Sequence, residues 1–284
     1  MENNSPIISV LLPIYNTNPI YLKECIESIL SQTFKDFELI ILNDASTEIL
    51  DNIINSYDDK RIRYYKNKTN LGITKTRNKL LELANCKYVA ITDHDDISTS
   101  ERFEKEYNFL EQNPEVSIVS GWIEVFNTNL KKKKIWKTKP YPKILDFLVR
   151  CELIHPACMW RKADFEKYNL KYEEDYYGAQ DYALFSKAVR YLKFANIQEV
   201  LLKYRKHDNN ASNEKRKMCF ETVKIQNEIL DFLTFDNKKK IFLYEKFAFP
   251  NEKFIHKIFS IKNVYNYKII RILGLKIKIL IYKI

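Results

Sequence analysis

The stretch Tyr88-Val89-Ala90-Ile91-Thr92-Asp93-His94-Asp95-Asp96 decides the fold class. An apolar run suited to a buried strand ends in three carboxylates within four residues. The same arrangement occurs twice nearer the N-terminus. Ile7 to Ile14 reads as a buried strand that gives way to Tyr15-Asn16-Thr17, and Phe37 to Leu42 as one that gives way to Asn43-Asp44-Ala45-Ser46. Between these runs, residues 20–31 carry Ile20, Leu22, Cys25, Ile26, Ile29 and Leu30 at helical spacing, opened by Asn18-Pro19 as cap and first-turn proline. Residues 47–57 and Thr74 to Ala84 also read as helices, and Ile62 to Tyr65 as a further strand. Apolar runs alternating with amphipathic helices predict βα units on a largely parallel sheet. In open α/β sheets ligands bind beyond the carboxyl ends of the strands, so three polar clusters at that edge predict one site.

Further along, the pattern predicts a helix over 101–113, a strand or bent hairpin from Val116 to Phe126, a helix over 181–192 and a helical section over 215–247. Lys131 to Lys134 reads as a solvated turn. The tail from Ile269 to Ile284 alternates apolar and basic residues around Gly274.

Composition removes several classes. Only four glycines occur in 284 residues, at 72, 121, 178 and 274. Neither a GxGxxG fingerprint nor a GxxxxGK[ST] phosphate loop nor a GxSxG elbow can be built from them. The five cysteines are scattered without a CxxC pair, which fits reduced, buried thiols, and the four histidines lack zinc spacing. Any metal must then be held mainly by carboxylates, which points to magnesium or manganese. No apolar stretch reaches the ~18 residues of a membrane span, and the N-terminus lacks a secretory pattern, so a cytoplasmic location is expected. The net charge is +10. Residues 1–214 hold 31 basic and 31 acidic side chains, whereas residues 215–284 hold 16 and 6, so the whole excess lies in the last quarter. That step predicts a boundary near residue 214, with a catalytic domain over 1–214 (a first half to about residue 125, a second from 126) and a basic, mainly helical region over 215–284.

The candidate chemistry sits in the strand-end turns. Three carboxylates at 93–96 repel one another, and burial would raise their pKa unless a cation compensates. A hard divalent cation shared with substrate phosphates is the direct solution, and an acidic helix cap is the bland one. Asp44 could accept hydrogen bonds from a base or ribose, or cap the helix at Thr47. Arg77 lies about one turn into the helix after Asn70-Leu71-Gly72, placed for a phosphate or base contact or simply exposed.

Several segments together resemble family 2 glycosyltransferases: Ile8-Ser9-Val10-Leu11-Leu12-Pro13-Ile14-Tyr15-Asn16, the helix end Ser28 to Thr33, and Phe37 to Thr47. Asn70-Leu71-Gly72, Arg77-Asn78, the acidic run at 93–96, Gln180-Asp181-Tyr182 and Tyr204-Arg205-Lys206-His207 follow in the family's order. The resemblance covers about residues 6–212. It implies a GT-A fold, a Rossmann-like nucleotide-sugar-binding sheet flanked by helices, and inverting transfer from a nucleotide diphosphate sugar. By the same resemblance Pro13, Tyr15, Asp44 and Arg77 surround the nucleobase, usually uracil, Asp93 and Asp95 handle ribose and a Mn²⁺ or Mg²⁺ ion, and Asp181 is the general base. Glu174 and Asp175 rank below Asp181 on motif order. His207 matches a residue that reaches metal or diphosphate in some relatives, and His155 and Trp160 lie where relatives often build the acceptor pocket. Two positions depart from the pattern: Ala45 stands where glycine is common, and Gln180 where glutamate is common.

The expected activity is therefore metal-dependent transfer of a hexosyl or N-acetylhexosaminyl group from a UDP-sugar to a cell-surface glycan or glycolipid such as bacterial lipooligosaccharide, lipopolysaccharide or capsule. The basic tail suits an anionic membrane surface on the inner face of the cytoplasmic membrane. A nucleotidyltransferase of related architecture and a nucleic-acid binder using the tail are the rivals. The tail lacks the aromatic and glycine pattern of an RNA module, so nucleic acid is not expected.

Overall fold

The computed structural model describes residues 5–46, 50–127, 134–207, 210, 215–233, 259–264, 267–272 and 275–280. Thr47, Lys131 to Lys133, residues 234–247 of the expected helical section and Gly274 lie outside them. In chain order the first half contains β1 (Ile8–Ile14), α1 (Pro19–Leu30), β2 (Phe37–Asn43), α2 (Asp51–Asn55), β3 (Ile62–Lys66), α3 (Ile73–Leu83), β4 (Tyr88–Ile91), β5 (Ile97–Ser98) and α4 (Arg102–Gln112). There follow β6 (Val116–Phe126), β7 (Lys134–Trp136), β8 (Met159–Arg161), α5 (Lys162–Lys167), α6 (Gln180–Ala188), β9 (Lys193–Arg205) and α7 (Lys215–Phe232).

The principal sheet runs β3-β2-β1-β4-β8-β6-β9-β5, with β7 paired to β6. Strands β3, β2, β1 and β4 are parallel, as the alternating pattern predicts. Every residue of β1 and β2 is buried, the usual state of parallel strands covered on both faces. Helix α1 starts where Asn18 Oδ1 accepts from the amides of Ile20 and Tyr21, with Pro19 in the first turn. Its Leu22, Cys25, Ile26 and Ile29 join the core under β1 and β2.

Beyond β4 the sheet becomes mixed. β8 inserts antiparallel between β4 and β6, and β6 pairs parallel with β9 through a shifted register. The 13-residue β9 is the longest strand, and it runs back to pair with β5 directly after the acidic turn. The fully buried Arg102 anchors that turn from below. Its Nη2 donates to the carbonyl of Ile91 at 2.7 Å, its Nη1 to Ser98 Oγ at 3.2 Å, and its Nε to Glu106. Burial pushes the Glu106 carboxyl up to about 7 against the opposing charge of Arg102.

The chain divides into one unit of Met1–Ile144 with Cys151–Ile225 and a second of Leu145–Arg150 with Gln226–Ile284. In the second, Gln226 Nε2 donates to the carbonyl of Leu148 at 2.8 Å. The expectation of a mainly helical C-terminal region holds for α7 and fails farther on. Residues 259–280 contain an antiparallel meander of β10 (Phe259–Val264), β11 (Tyr267–Ile272) and β12 (Leu275–Leu280). The alternation of apolar and basic residues there has a period of two, which is the period of a strand.

Candidate active site

Three turns at the carboxyl ends of β1, β2 and β4 build the site. After β1, Tyr15 is 46 % exposed while Pro13 is buried within the strand. The amide of Asn16 donates to Ser46 Oγ at 3.1 Å, and Ser46 donates to Asn43 Oδ1, so the first two turns are tied together. Asp44, buried at the end of β2, uses its carboxylate on its own chain. Oδ1 accepts from Asn67 Nδ2 at 2.7 Å and from the Leu71 amide at 2.9 Å, and Oδ2 accepts from the Gly72 amide at 2.9 Å. Asp44 thereby fixes the loop that opens α3. Gly72 has φ +82°, a conformation that suits glycine. Ala45 has φ +57°. A side chain in the left-handed region costs about 1 kcal/mol or more, which gives a physical reason for glycine being the common residue there.

The acidic turn is held by partners distant in sequence. Arg77 Nη2 donates to Asp93 Oδ1 at 2.9 Å. Asp95 Oδ2 lies 2.8 Å from His207 Nε2 and 3.2 Å from Asn210 Nδ2. Asp96 is wholly buried and accepts from the Arg205 amide on Oδ1, while its Oδ2 has no partner among the described residues. Burial, then the charges of Asp95 and Asp93, push the Asp96 carboxyl well above the usual range. The Arg205 guanidinium donates to the Asp95 carbonyl at 2.9 Å, pairs with Glu24 and lies 4.2 Å over the Tyr21 ring. Asp95 and His207 form an oxygen and nitrogen pair that suits Mn²⁺ and, less closely, Mg²⁺. Among the described residues no three ligating side chains converge on one point, so a bound ion would take the rest of its shell from a ligand and water.

Arg77 joins this turn to α6. In the amide orientation that satisfies both of its neighbours, Gln180 accepts from Arg77 Nη1 at 2.8 Å and donates to the Tyr177 carbonyl at 2.7 Å. The guanidinium is buried with the Tyr172 ring 5.6 Å from it. It is therefore not exposed, and both of its terminal nitrogens have protein partners. Asp181 stands in the first turn of α6, its Oδ1 accepting from the Tyr182 amide at 2.7 Å. Burial raises the Asp181 carboxyl above its ordinary range, Arg77 opposes that rise, and Asp93 adds to it.

The two residues expected at an acceptor pocket are not at a surface. Trp160 is 0 % exposed within β8 and stacks on Phe165 at 4.7 Å. His155 is 3 % exposed, with Nε2 2.8 Å from the Tyr172 hydroxyl. Burial, then Arg77 and Arg102, hold its imidazole well below the usual histidine range. Both are core residues beneath the site and offer no face to an acceptor. Conversely Asn67, Tyr172, Asn210 and Glu221 hold site segments without having been singled out. Their signals are long-range hydrogen bonds, which spacing cannot carry.

The family model for glycosyl transferase family 2 matches residues 9–191. The chain belongs to this family. An uncharacterized glycosyltransferase of Methanocaldococcus jannaschii is 36 % identical over 77 % of this chain and 78 % of its own length. A UDP-Gal:alpha-D-GlcNAc-diphosphoundecaprenol beta-1,3-galactosyltransferase of Escherichia coli is 32 % identical over 72 % and 76 %. Among solved structures, S. aureus TarS in complex with UDP-GlcNAc superposes with TM-score 0.66 at 19 % identity, covering 85 % of this chain and 71 % of TarS. The mannosyltransferase PcManGT of Pyrobaculum calidifontis with GDP-Man and Mn²⁺ gives 0.63 at 14 %, covering 86 % and 70 %. The protein is a glycosyltransferase with a GT-A fold.

The clamp made by Asp44 has a measurable consequence. Asp44→Asn presents an amide to the buried N–H donors of Leu71, Gly72 and Asn67, and should cost about 1–3 kcal/mol in chemical denaturation. An unchanged midpoint would count against the clamp.

Proposed function

We propose that this glycosyltransferase inverts the anomeric centre as it moves a sugar from a nucleoside diphosphate sugar, with uridine as the nucleoside, to a hydroxyl of a cell-surface glycan or glycolipid. The observation that carries this reading is the buried Arg77 bridge. It joins Asp93 of the acidic turn to Gln180, the neighbour of Asp181, and so makes one site of two. A sugar hydroxyl is too weakly acidic to ionise alone, and Asp181 takes its proton as the oxygen attacks the anomeric carbon. The bond from that carbon to the diphosphate breaks on the opposite side, and the nucleoside diphosphate leaves. Desolvation makes Asp181 a better base than an exposed aspartate, while the charge of Arg77 opposes that rise. Tyr15 and the Asp44 loop form the base-binding end, supported by the resemblance and by the UDP-sugars named for the relatives above.

Asp95 with His207 would hold a divalent cation. When bound, such an ion offsets the charge that develops on the departing diphosphate. The Mn²⁺ in PcManGT supports this choice of metal. The lipid-linked substrate in the name of the E. coli relative supports a glycolipid acceptor.

A second reading concerns where the enzyme works. The register of β10 to β12 puts Ser260, Lys262, Arg271, Lys276 and Lys278 on one face of the meander, together with Val264, Tyr267, Ile269 and Leu280. Phe259, Ile261, Ile270, Ile272, Leu275, Ile277 and Ile279 fall on the other, with Asn263 and a single cation, Lys268. No acidic residue occurs from 259 to 280. A face with four cations and no acid fits an anionic lipid surface, where each contributes about 1 kcal/mol. Among the described residues no helix is long and apolar enough to cross a membrane.

Asp181→Asn should lower kcat by about 10²–10⁴-fold while calorimetry shows the nucleotide sugar still bound. In the wild type, activity falls as pH drops through the raised Asp181 pKa, so the acid limb of kcat/KM lies above the ordinary aspartate range. Arg77→Met removes the opposing charge and moves that limb to higher pH; a limb that stays in place argues against Asp181 as the titrating base. Chelation with EDTA should abolish transfer and added Mn²⁺ restore it, whereas full activity in EDTA rules out the metal. Replacing Lys262, Arg271, Lys276 and Lys278 by Ser should release the protein from phosphatidylserine vesicles but leave transfer to a soluble acceptor intact. Equal sedimentation before and after the change would refute the lipid-binding face.

A further inference from the structure

The segment leading into the Asp181 helix is gripped by one carboxylate. Glu221, on the first half of α7, accepts three consecutive backbone N–H groups: Tyr177 to Oε1 at 3.0 Å, Gly178 to Oε2 at 2.8 Å and Ala179 to Oε2 at 2.7 Å. Helix α6 begins at Gln180, and its cap residue, Ala179, has no side chain able to satisfy the free amides at this end. A residue 42 positions away does so instead. A carboxylate there also meets the positive end of the helix dipole. The grip is reinforced on both sides. Lys224, three residues after Glu221, lies 4.4 Å over the Tyr176 ring, and Thr74 Oγ1 of α3 donates to the Tyr176 carbonyl at 3.3 Å. Gln180 in turn donates to the Tyr177 carbonyl. Residues 176–180 are thus fixed from α3, from α7 and from within, immediately before Asp181.

We propose that Glu221 is a positioning residue for catalysis: its carboxylate sets the backbone from Tyr177 to Ala179 and through it the place of Asp181 relative to the acceptor hydroxyl. The proposal rests on the reading of Asp181 as the base. Glu221 itself touches no reacting atom. A general base must approach within hydrogen-bond reach of the proton it removes, and a displacement of about 1 Å can cost on the order of 10²-fold in rate. An α7 that did no more than cover the sheet would tolerate loss of this carboxylate without a change in turnover. Glutamate also has the reach and the two oxygens that three adjacent amides demand. Glutamine offers one oxygen and turns two N–H donors toward donors, and aspartate is one methylene shorter.

The test compares Glu221→Gln, Glu221→Ala, Asp181→Asn and the Glu221→Gln/Asp181→Asn double variant in the full-length protein with the nucleotide sugar and acceptor. Glu221→Gln should lower kcat by about 10-fold to 100-fold while the donor dissociation constant by calorimetry stays within about two-fold. Amide exchange at Tyr177, Gly178 and Ala179 should accelerate, with Ala183 farther along α6 unchanged. The double variant should be no slower than Asp181→Asn alone, because both changes act through the same group. Wild-type kcat in Glu221→Gln overturns the proposal, as does a double variant slowed by the product of the single effects. A fully active Asp181→Asn overturns the base assignment instead, which keeps the two failures apart. If Glu221→Ala does not fold, the exchange and kcat data on Glu221→Gln decide alone.

Discussion

Three carboxylates cannot share the short turn at 93–96 unless counter-charges and donors reach it, and the surrounding fold supplies them. Asp93 is met by the guanidinium of Arg77 from α3, Asp95 by His207 and Asn210, and Asp96 by the amide of Arg205 at the end of β9. Arg205 adds a bond to the Asp95 carbonyl, and Arg102 from α4 holds the Ile91 carbonyl where β4 ends. The partners come from up to 115 residues away. This explains the route of β9, which runs parallel to β6 and then reaches β5 beside the turn. Had β9 ended elsewhere in the sheet, Asp96 would lose its amide donor and Asp95 its imidazole.

The parts of this arrangement that depend on local pattern were legible in the residues. Strands β1, β2 and β4, the helices between them and the polar turn after each strand follow from apolar runs and capping residues that need no distant partner. Asp44, Asp93 and Asp95 stand out because acidic residues in strand-end turns are locally conspicuous, whereas Asp181 is singled out by the family resemblance alone. β9 was not read as a strand, because its Asn196-Ile197-Gln198-Glu199 section breaks a clean alternation where the register against β6 shifts. The three-residue β8 is too short to announce itself, and with it went the correct view of Trp160, whose burial depends on insertion between β4 and β6. His155 was misplaced for a related reason. Its neighbours Tyr172 and Phe185 belong to later segments, so only the folded chain reveals an apolar enclosure. In the tail the period of two was present, and the helical reading gave it too little weight.

The role left for a metal ion at this turn is set by the same contacts. Repulsion among Asp93, Asp95 and Asp96 made a cation attractive as a structural necessity, yet Arg77 already pairs with Asp93 and the charge of Arg102 acts on Asp96. What remains is Asp95 facing an imidazole, a pair suited to sharing an ion with a ligand rather than caging one. The case for a divalent cation therefore rests on the charge that a departing diphosphate develops.

Several departures from ordinary packing lie on the segments that build the site. Among the described residues Asp96 Oδ2, Arg77 Nε, Thr76 Oγ1 and Thr17 Oγ1 are buried and find no protein partner, and Ala45 and Asn16 occupy left-handed backbone conformations. Each such feature costs free energy, of the order of 1 kcal/mol or more, that a sequence selected only for stability would recover. Those at the ends of β1, β2 and β4, above strands that are conventionally apolar, match the general pattern that local rules are broken where function is carried. Arg77 shows why they persist. An apolar side chain of similar length would relieve its unpaired Nε, but Asp93 would lose its counter-ion and Asp181 the charge that opposes the rise in its pKa. The desolvated guanidinium is retained because two carboxylates on different elements need one cation between them.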